Sequence, residues 1–107
     1  MNPSQLKGNL DMLLLSVLEG SPAHGYIVIA RLRDRSAGTF DLPEGTVYPA
    51  LHRLERLGLL SSSWDVAEGR KRRVYEITAP GVRALHDQRE GWSLFSGAIA
   101  SVIGSPA

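Results

Sequence analysis

Side chains suited to binding nucleic acid are concentrated in two short stretches of this sequence. In "GTVYPALHR", Tyr48, His52 and Arg53 lie at helical spacing on one face of a predicted helix, from which they could reach base edges or phosphates. In "GRKRRVY", positions 70–73 are all basic, although the formal net charge of the chain is only +1. A local basic patch favours docking on phosphates, and the alternative is a solvated hairpin tip.

Each of these stretches has structural alternatives. Tyr48 could pack half-buried against the preceding helix, and His52 could be a solvated surface residue. In the basic run, alternate side chains of a strand face opposite ways, so the three phosphate candidates are not expected to contact DNA equally. The candidates are Lys71, Arg72 and Arg73, the last of which could instead pair with Glu76 or Asp65.

Pro49 is an unusual residue for the interior of a helix. It has no N–H, so the carbonyl of Gly45 loses its usual helical partner. The loss falls within about two turns of the predicted helix start, where backbone groups are already partly unpaired. We hypothesise that Pro49 distorts these turns and presents the Gly45 backbone and Thr46 to a DNA phosphate. The alternative is that Pro49 only ends a short first turn and contacts nothing.

The first half of the chain predicts three helices. Apolar residues recur at helical spacing in each helix, and glycine- and proline-containing turns separate them. The predicted helices span residues 4–19 and 23–35, and the third begins with Pro43 as its first residue.

Beyond the third helix the apolar period changes to that of short strands. "LLSSSWDV" and "RRVYEIT" predict a two-stranded hairpin that turns at Gly69. A last helix is predicted to start after an N-cap at Thr78, with Pro80 in its first turn, and to end near Ile103 before Gly104.

Three helices followed by a two-stranded hairpin make a winged helix-turn-helix. The predicted fold class is therefore α+β and mostly α, with a long C-terminal dimerisation helix. In such a fold the later helix of the helix-turn-helix lies in the major groove and the earlier one crosses the backbone. We predict a DNA-binding domain at 1–79 and the dimerisation helix at 80–107.

The last helix carries an apolar stripe that a domain of this size cannot cover by itself. Leu85, Trp92 and Ile99 are seven residues apart, and Phe95 and Val102 occupy companion positions, as in the seam of a coiled coil. A long exposed apolar stripe usually marks an interface.

Other classes of function find little support in the sequence. The histidines are scattered, and the serine run at 61–63 has no apparent base. The chain has no cysteine, and neither metal-ligand spacing nor a glycine-rich phosphate loop occurs. We therefore expect no enzyme activity, no metal and no cofactor. The N-terminus lacks a signal pattern and no apolar run approaches a membrane span, so we expect a cytoplasmic protein without membrane contact.

Three sequence elements, in register, resemble the PadR family of bacterial transcriptional regulators. "GTVYPALHRLERLGLL" is similar to the family's Gly-Thr-Leu-Tyr-Pro-Ala-Leu pattern, which is followed by Arg-Leu-Glu and Gly-Leu. "HGYIVIARL" resembles its His-Gly-Tyr segment, and "RRVYEITAPG" resembles its basic-Tyr-Thr-x-x-Gly element. The resemblance covers roughly residues 6–85, and the single helix after it resembles the short subfamily.

The resemblance implies a homodimeric regulator that binds double-stranded DNA, usually a repressor released by a small ligand. We expect an inverted-repeat operator. The expected DNA-binding residues are Gly45, Thr46, Tyr48, Pro49, His52, Arg53, Lys71, Arg72 and Arg73. A winged-helix module that binds protein is the alternative, but such modules usually lose the basic hairpin and the polar face of the third helix.

The resemblance also implies how the copies meet and where a ligand binds. In short members the last helix pairs with the first helix of a partner, so the expected dimer contacts are Leu6, Leu10, Leu85, Trp92, Phe95, Ile99 and Val102. "EGWSLF" resembles a segment whose tryptophans flank a cavity for flat aromatic compounds. Trp92 and Phe95 are then ligand-binding residues, with Leu94 completing the wall, although the turn after Trp92 offers a cation no carboxylate. The alternative is that Trp92 only fills the interface.

Overall fold

A computed structural model describes residues 3–104, which form four helices and a small sheet. In chain order the elements are α1 (Pro3–Leu18), β1 (Ala23–His24), α2 (Gly25–Arg35), α3 (Glu44–Arg56), β2 (Leu60–Ala67), β3 (Arg70–Ile77) and α4 (Ala79–Ile103). The predicted winged helix-turn-helix with a long C-terminal helix is confirmed. Helices α2 and α3 are the helix-turn-helix, and the β2–β3 hairpin is the wing. Residues 1–2 and 105–107 of the two predicted domains lie outside the described residues.

The sheet has three strands where two were predicted. Strand β1 pairs antiparallel with β3, with Ala23 opposite Tyr75 and His24 opposite Val74, so that β3 is central in the order β1-β3-β2. The second helix therefore begins at Gly25, two residues later than predicted. A two-residue strand is too short to produce a sequence period, which is why it was missed. It joins the start of α2 directly to the wing.

One apolar core joins α1, the helix-turn-helix and the base of the wing. The predicted buried face of α3 is confirmed, because Val47, Leu51 and Leu54 are all inaccessible to solvent. Burial of each such side chain stabilises the fold by about 1.5–3 kcal/mol. Leu85 is also 0% exposed and belongs to this core. It therefore offers no surface to a partner, which corrects its expected place in the dimer contacts.

The start of α4 is fixed to the end of α3. The Thr78 hydroxyl oxygen accepts a hydrogen bond from the Gly81 amide at 3.1 Å and donates one to the Gly58 carbonyl at 2.7 Å. This confirms Thr78 as the N-cap, with Pro80 in the first turn. Pro43, by contrast, is the N-cap of α3 and not its first helical residue. Its carbonyl accepts from the amides of the next turn.

Helix α4 packs on α1 only along its first half. Arg89 ties α4 to the end of α1, donating to both carboxylate oxygens of Glu19 at 2.9 and 3.1 Å and to the Ser16 hydroxyl at 3.0 Å. Beyond Glu90 nearly every side chain of α4 is exposed. The described residues span 53 × 28 × 22 Å, so the helix projects from the domain as an arm. No helix among them is long and apolar enough to cross a membrane.

Candidate nucleic-acid interface

Tyr48 packs against the first residue of α2. A Cβ atom added at Gly25 would lie 2.7 Å from Cζ of Tyr48 and 2.8 Å from its hydroxyl oxygen, so only glycine leaves room for the ring. Tyr48 is therefore half-buried against α2, which agrees with the alternative that this residue packs on the preceding helix. Partial burial, and then the nearby Glu44 carboxylate, raise the pKa of Tyr48. The hydroxyl therefore keeps its proton at neutral pH and can donate a hydrogen bond at the groove edge.

The N-terminal turns of α3 present backbone to solvent. Gly45 and Pro49 are exposed and Thr46 is half-buried. Helix α3 runs without interruption through Pro49, so this proline does not end a short first turn. Because Pro49 cannot donate to the Gly45 carbonyl, that exposed carbonyl lacks its usual helical partner. His52 lies one turn further on, exposed, with its ring centroid 6.4 Å from that of buried Tyr75.

Contrary to expectation, Arg53 does not share this surface. Its guanidinium forms a bidentate ion pair with Asp11 of α1, with Nη1 donating to Oδ2 at 3.0 Å and Nη2 donating to Oδ1. The hydrogen bonds that Arg53 donates to Asp11 raise the pKa of Arg53 above its ordinary value. The side chain thus connects α3 to α1 and is not directed with Tyr48 and His52 toward a groove.

Arg72 and Arg73 are held on opposite faces of the wing, as strand alternation predicts. Nη1 of Arg72 lies 3.1 Å from Nε2 of His24, the N-cap residue of α2. Burial, and then the Arg72 charge, lower the pKa of His24. The ring is therefore neutral at pH 7, and Nε2 accepts the hydrogen bond that the guanidinium donates.

Arg73 is engaged with the helix side of the wing. Its Nε donates to the Ser62 hydroxyl at 2.8 Å, its Nη2 lies 3.6 Å from Oε2 of Glu55, and its Cζ lies 5.1 Å from the ring centroid of Trp64. The sequence had suggested Glu76 or Asp65 as partners, and neither is correct. Glu55 was missed because it lies on α3, outside the hairpin that carries Arg73, Asp65 and Glu76.

A groove of about 530 Å³ separates α3 and the start of α2 from the wing. The four consecutive basic residues and one tyrosine from each helix line it, although the side chain of Arg73 is engaged on the other face of the wing. Its lining residues are His24, Gly25, Tyr26, Tyr48, Arg70, Lys71, Arg72 and Arg73. Of these, His24, Gly25, Tyr26 and Arg70 were not assigned from sequence. The "HGY" segment and the position of Arg70 in the basic run were the available signals.

A second groove lies between α1 and the projecting part of α4. It has a volume of about 760 Å³ and is mostly apolar. Trp92 and Phe95 form one wall, with ring centroids 6.4 Å apart and tilted by 50°. The other lining residues include Leu6, Met12, Leu13, Phe40 and Ile99. Four of the expected dimer residues therefore lie together, and two of them, Trp92 and Phe95, are the expected ligand-binding pair.

Two sequence expectations about this second groove need correction. Leu94 is 78% exposed on the opposite side of α4 and does not complete the wall. Leu10 is buried in the core of its own chain. The turn after Trp92 has no carboxylate, but Asp11 from α1 lines an adjoining cavity of about 310 Å³, together with Lys7.

One group among the described residues has the composition of a metal site. His86, Asp87 and Glu90 place possible ligand atoms within 4.8 Å of one another on α4. All three are exposed, and Nε2 of His86 lies 3.1 Å from a Glu90 carboxylate oxygen. Exposed acidic groups commonly lie this close together without an ion, so the group is not assigned as a metal site.

Comparison with known proteins identifies the family. Residues 14–87, more than half of the chain, match the model of the transcriptional regulator PadR-like family. Transcriptional regulator Rv3488 of Mycobacterium tuberculosis is 56% identical over 45 residues, which are 42% of this chain and 42% of that one.

Solved structures give the same result over nearly the whole chain. A transcriptional regulator from Clostridium thermocellum, Cth-833, is similar with a TM-score of 0.87 and 27% identity, covering 94% of this chain and 98% of that one. A PadR family transcriptional regulator from Eggerthella lenta has a TM-score of 0.84 and 31% identity, covering 96% of this chain and 88% of that one. The chain therefore belongs to the PadR-like family of transcriptional regulators, whose members are DNA-binding regulators and not enzymes.

Proposed function

We propose that this protein is a homodimer that binds an inverted-repeat operator in double-stranded DNA and represses transcription until a small ligand releases it. The observation that carries the proposal is the basic groove between α3 and the wing, which is lined by the basic run at 70–73 together with Tyr48 and the start of α2. Clustered basic side chains beside a helix that can enter the major groove supply both phosphate contacts and base readout.

The proposed contacts divide between the two elements. On α3, the exposed turn at Gly45, Thr46 and Pro49 approaches phosphate, while Tyr48 and His52 face the bases. On the wing, Lys71 and Arg72 bind phosphate, and Arg70 joins them at the tip. Arg53 contributes by orienting α3 through Asp11.

The exposed arm of α4 supports a homodimer. Trp92, Phe95, Ile99 and Val102 are large apolar residues that the chain does not cover. Covering each of them would contribute about 1.5–3 kcal/mol. A second copy offers the matching surface, because Leu6 and its neighbours on α1 line the same groove. Two wings in such a dimer would meet half-sites about 34 Å apart, one helical turn of DNA.

The same groove is the proposed effector site. The tilted pair of Trp92 and Phe95 suits a flat aromatic ligand, since aromatic rings prefer offset or tilted contacts. Lys7 and Asp11 lie beside this pair, and the Asp11 charge is already balanced by Arg53. The proposed ligand class is therefore flat and aromatic, without a requirement for positive charge.

The remaining parts of the proposal follow from the role in transcription. A regulator of bacterial genes works where the DNA lies, so we place the protein in the cytoplasm. We also retain the division into a DNA-binding domain at 1–79 and a dimerisation helix at 80–107.

Selection of bound fragments from genomic DNA tests the proposal. Purified protein should enrich fragments that share an inverted repeat, and its affinity for them should fall steeply with added salt as counterions are released. Failure to bind any duplex in a salt-sensitive manner would reject DNA recognition by this surface. The second candidate, a winged-helix module that binds protein, would then be favoured, because Tyr26 on α2 and Trp64 on the wing are large exposed side chains.

A further inference from the structure

Three polar residues tie the recognition helix α3 to the wing in a closed network. The Ser62 hydroxyl on β2 donates to Oε2 of Glu55, the penultimate residue of α3. Arg73 on β3 donates to the same hydroxyl at 2.8 Å and lies 3.6 Å from the same carboxylate oxygen. Each of the three residues therefore contacts the other two, and each belongs to a different element.

A fourth residue fixes the orientation of the guanidinium. Trp64 is the cross-strand partner of Arg73, and its ring centroid lies 5.1 Å from the Arg73 Cζ atom. A guanidinium plane that is stacked on one side and hydrogen-bonded at its edge has little rotational freedom. Trp64 is otherwise 63% exposed, so its environment reports on whether Arg73 stays in place.

The network bridges a short connection. Only residues 57–59 separate α3 from β2, and the ion pair of Arg73 and Glu55 is partly exposed. An isolated pair of this kind contributes little to stability. Its effect is on geometry instead, because it restricts the angle between α3, proposed to read the major groove, and the wing, proposed to follow the phosphate backbone.

The tip of the wing differs from this base. Within the described chain, the side chains of Arg70 and Lys71 make no hydrogen bond or ion pair, and both are exposed. They are free to bind phosphate, whereas Nε and Nη2 of Arg73 are engaged within the protein. The consecutive basic residues therefore differ in role, since Arg70 and Lys71 are available to phosphate and Arg73 makes contacts within the protein.

We infer that Arg73 and Glu55 are positioning residues that hold the wing at a fixed angle to α3, and that Arg73 is not primarily a phosphate ligand. The inference rests on the proposed DNA binding for its consequence, though the network itself can be tested without DNA. It assigns discrimination between DNA sequences partly to two side chains that read no base.

The first test uses no DNA. In a Trp92→Phe background Trp64 is the sole tryptophan, and its quenching by acrylamide measures its exposure. Glu55→Ala should increase the quenching, although Glu55 acts on Trp64 only through Arg73. Glu76→Ala removes the same charge from the exposed face of β3 and should leave quenching unchanged. Equal quenching in the parent and the Glu55→Ala variant would show that no such network holds the wing.

The second test separates positioning from phosphate binding. Affinities are measured against salt for a duplex enriched by the parent protein and for a random-sequence duplex. Arg73→Gln and Glu55→Ala should each reduce the preference for the enriched duplex by about tenfold, without additivity in the double variant. The salt slope on the random duplex should stay at the parent value.

The competing role for Arg73 makes opposite predictions. If Arg73 binds phosphate, Arg73→Gln lowers the salt slope by about 1. Glu55→Ala then raises affinity on both duplexes, because it frees the guanidinium and removes a negative charge. Either result overturns the inference. If no duplex binds at all, the proposed function fails, while the quenching test still decides whether the network exists.

Discussion

The ring of Tyr48 on α3 occupies the space that a side chain at Gly25 on α2 would fill. A Cβ atom at Gly25 would lie 2.7 Å from Cζ of Tyr48. The two helices of the helix-turn-helix therefore approach closely at this point, and the absence of a side chain on one determines the position of an aromatic ring on the other. The same ring borders the basic groove.

Substitution of Gly25 should affect function more than folding. The added methyl of Gly25→Ala meets the far end of one side chain, so Tyr48 can move aside, and we expect a loss of about 1–3 kcal/mol at most. At Gly81 an added Cβ would instead meet the backbone carbonyl of Leu59 and lie 2.7 Å from Cγ1 of Ile77. Gly81→Ala should therefore lower the midpoint of urea unfolding more than Gly25→Ala. Equal midpoints would mean that Tyr48 is as rigid as backbone.

The free wing tip should carry part of the salt dependence of DNA binding. Arg70→Ala and Lys71→Ala should each weaken binding to all duplexes and reduce the slope of log affinity against log salt by about 1. Arg83→Ala, an exposed charge on α4, is the matched control and should leave the slope unchanged. An equal effect of all three changes would indicate that only net charge matters.

The His24–Arg72 contact predicts a pH-dependent stability. The folded chain lowers the pKa of His24 from its ordinary value of 6.5, chiefly through burial and secondly through Arg72. Between the lowered pKa and 6.5 the unfolded chain binds more protons, so the free energy of unfolding rises with pH in this window. Stability should accordingly decrease as the pH falls below 6.5 and through the folded pKa.

Matched variants can assign this effect. His24→Gln keeps a neutral hydrogen-bond acceptor and should flatten the dependence, whereas His86→Gln on exposed α4 should preserve it. Urea unfolding at a series of pH values measures both. A parent profile unchanged by His24→Gln would place the responsible group elsewhere.

Opposite faces of α4 should differ in their effect on assembly. Phe95 lines the apolar groove, whereas Leu94 lies about 160° around the helix from Trp92. A buried unpaired charge is strongly unfavourable, so Phe95→Asp should dissociate the proposed dimer. Leu94→Asp introduces the same charge at a more exposed site and should leave it intact. Sedimentation velocity distinguishes the outcomes, and dissociation by both variants would argue against a single dimer face.

The apolar groove should bind flat aromatic compounds if it is the effector site. In a Trp64→Phe variant the fluorescence of Trp92 should be quenched saturably by planar aromatic dyes. Calorimetric titration of Trp92→Ala should show that binding is weakened. No response across a varied panel of compounds would leave Trp92 as a packing residue.

Local sequence was sufficient to predict the buried faces of helices, the helix caps and the hairpin turn. The buried stripe of α3 follows from its period, and Thr78 and Gly69 follow from the chemistry of helix caps and turns. The bidentate partner of Arg53 could not be predicted in this way, because Asp11 is 42 residues distant and faces it only after α1 packs on α3. Leu85 was misassigned for a related reason, since a heptad pattern does not state which part of a helix its own domain covers.

The arm of α4 also makes the molecule sensitive to small rotations. The residues from Glu90 to Ile103 extend about 21 Å past the ion pair of Arg89 and Glu19. A tilt of the rigid helix by about 5° at that ion pair moves its tip by roughly 2 Å, because the displacement grows with distance from the pivot. In a two-fold assembly both arms tilt together and the displacement doubles between the two wings. In the proposed dimer, a ligand beside Trp92 would therefore need only a minor adjustment at the base of the arm to shift the two DNA-binding surfaces relative to each other.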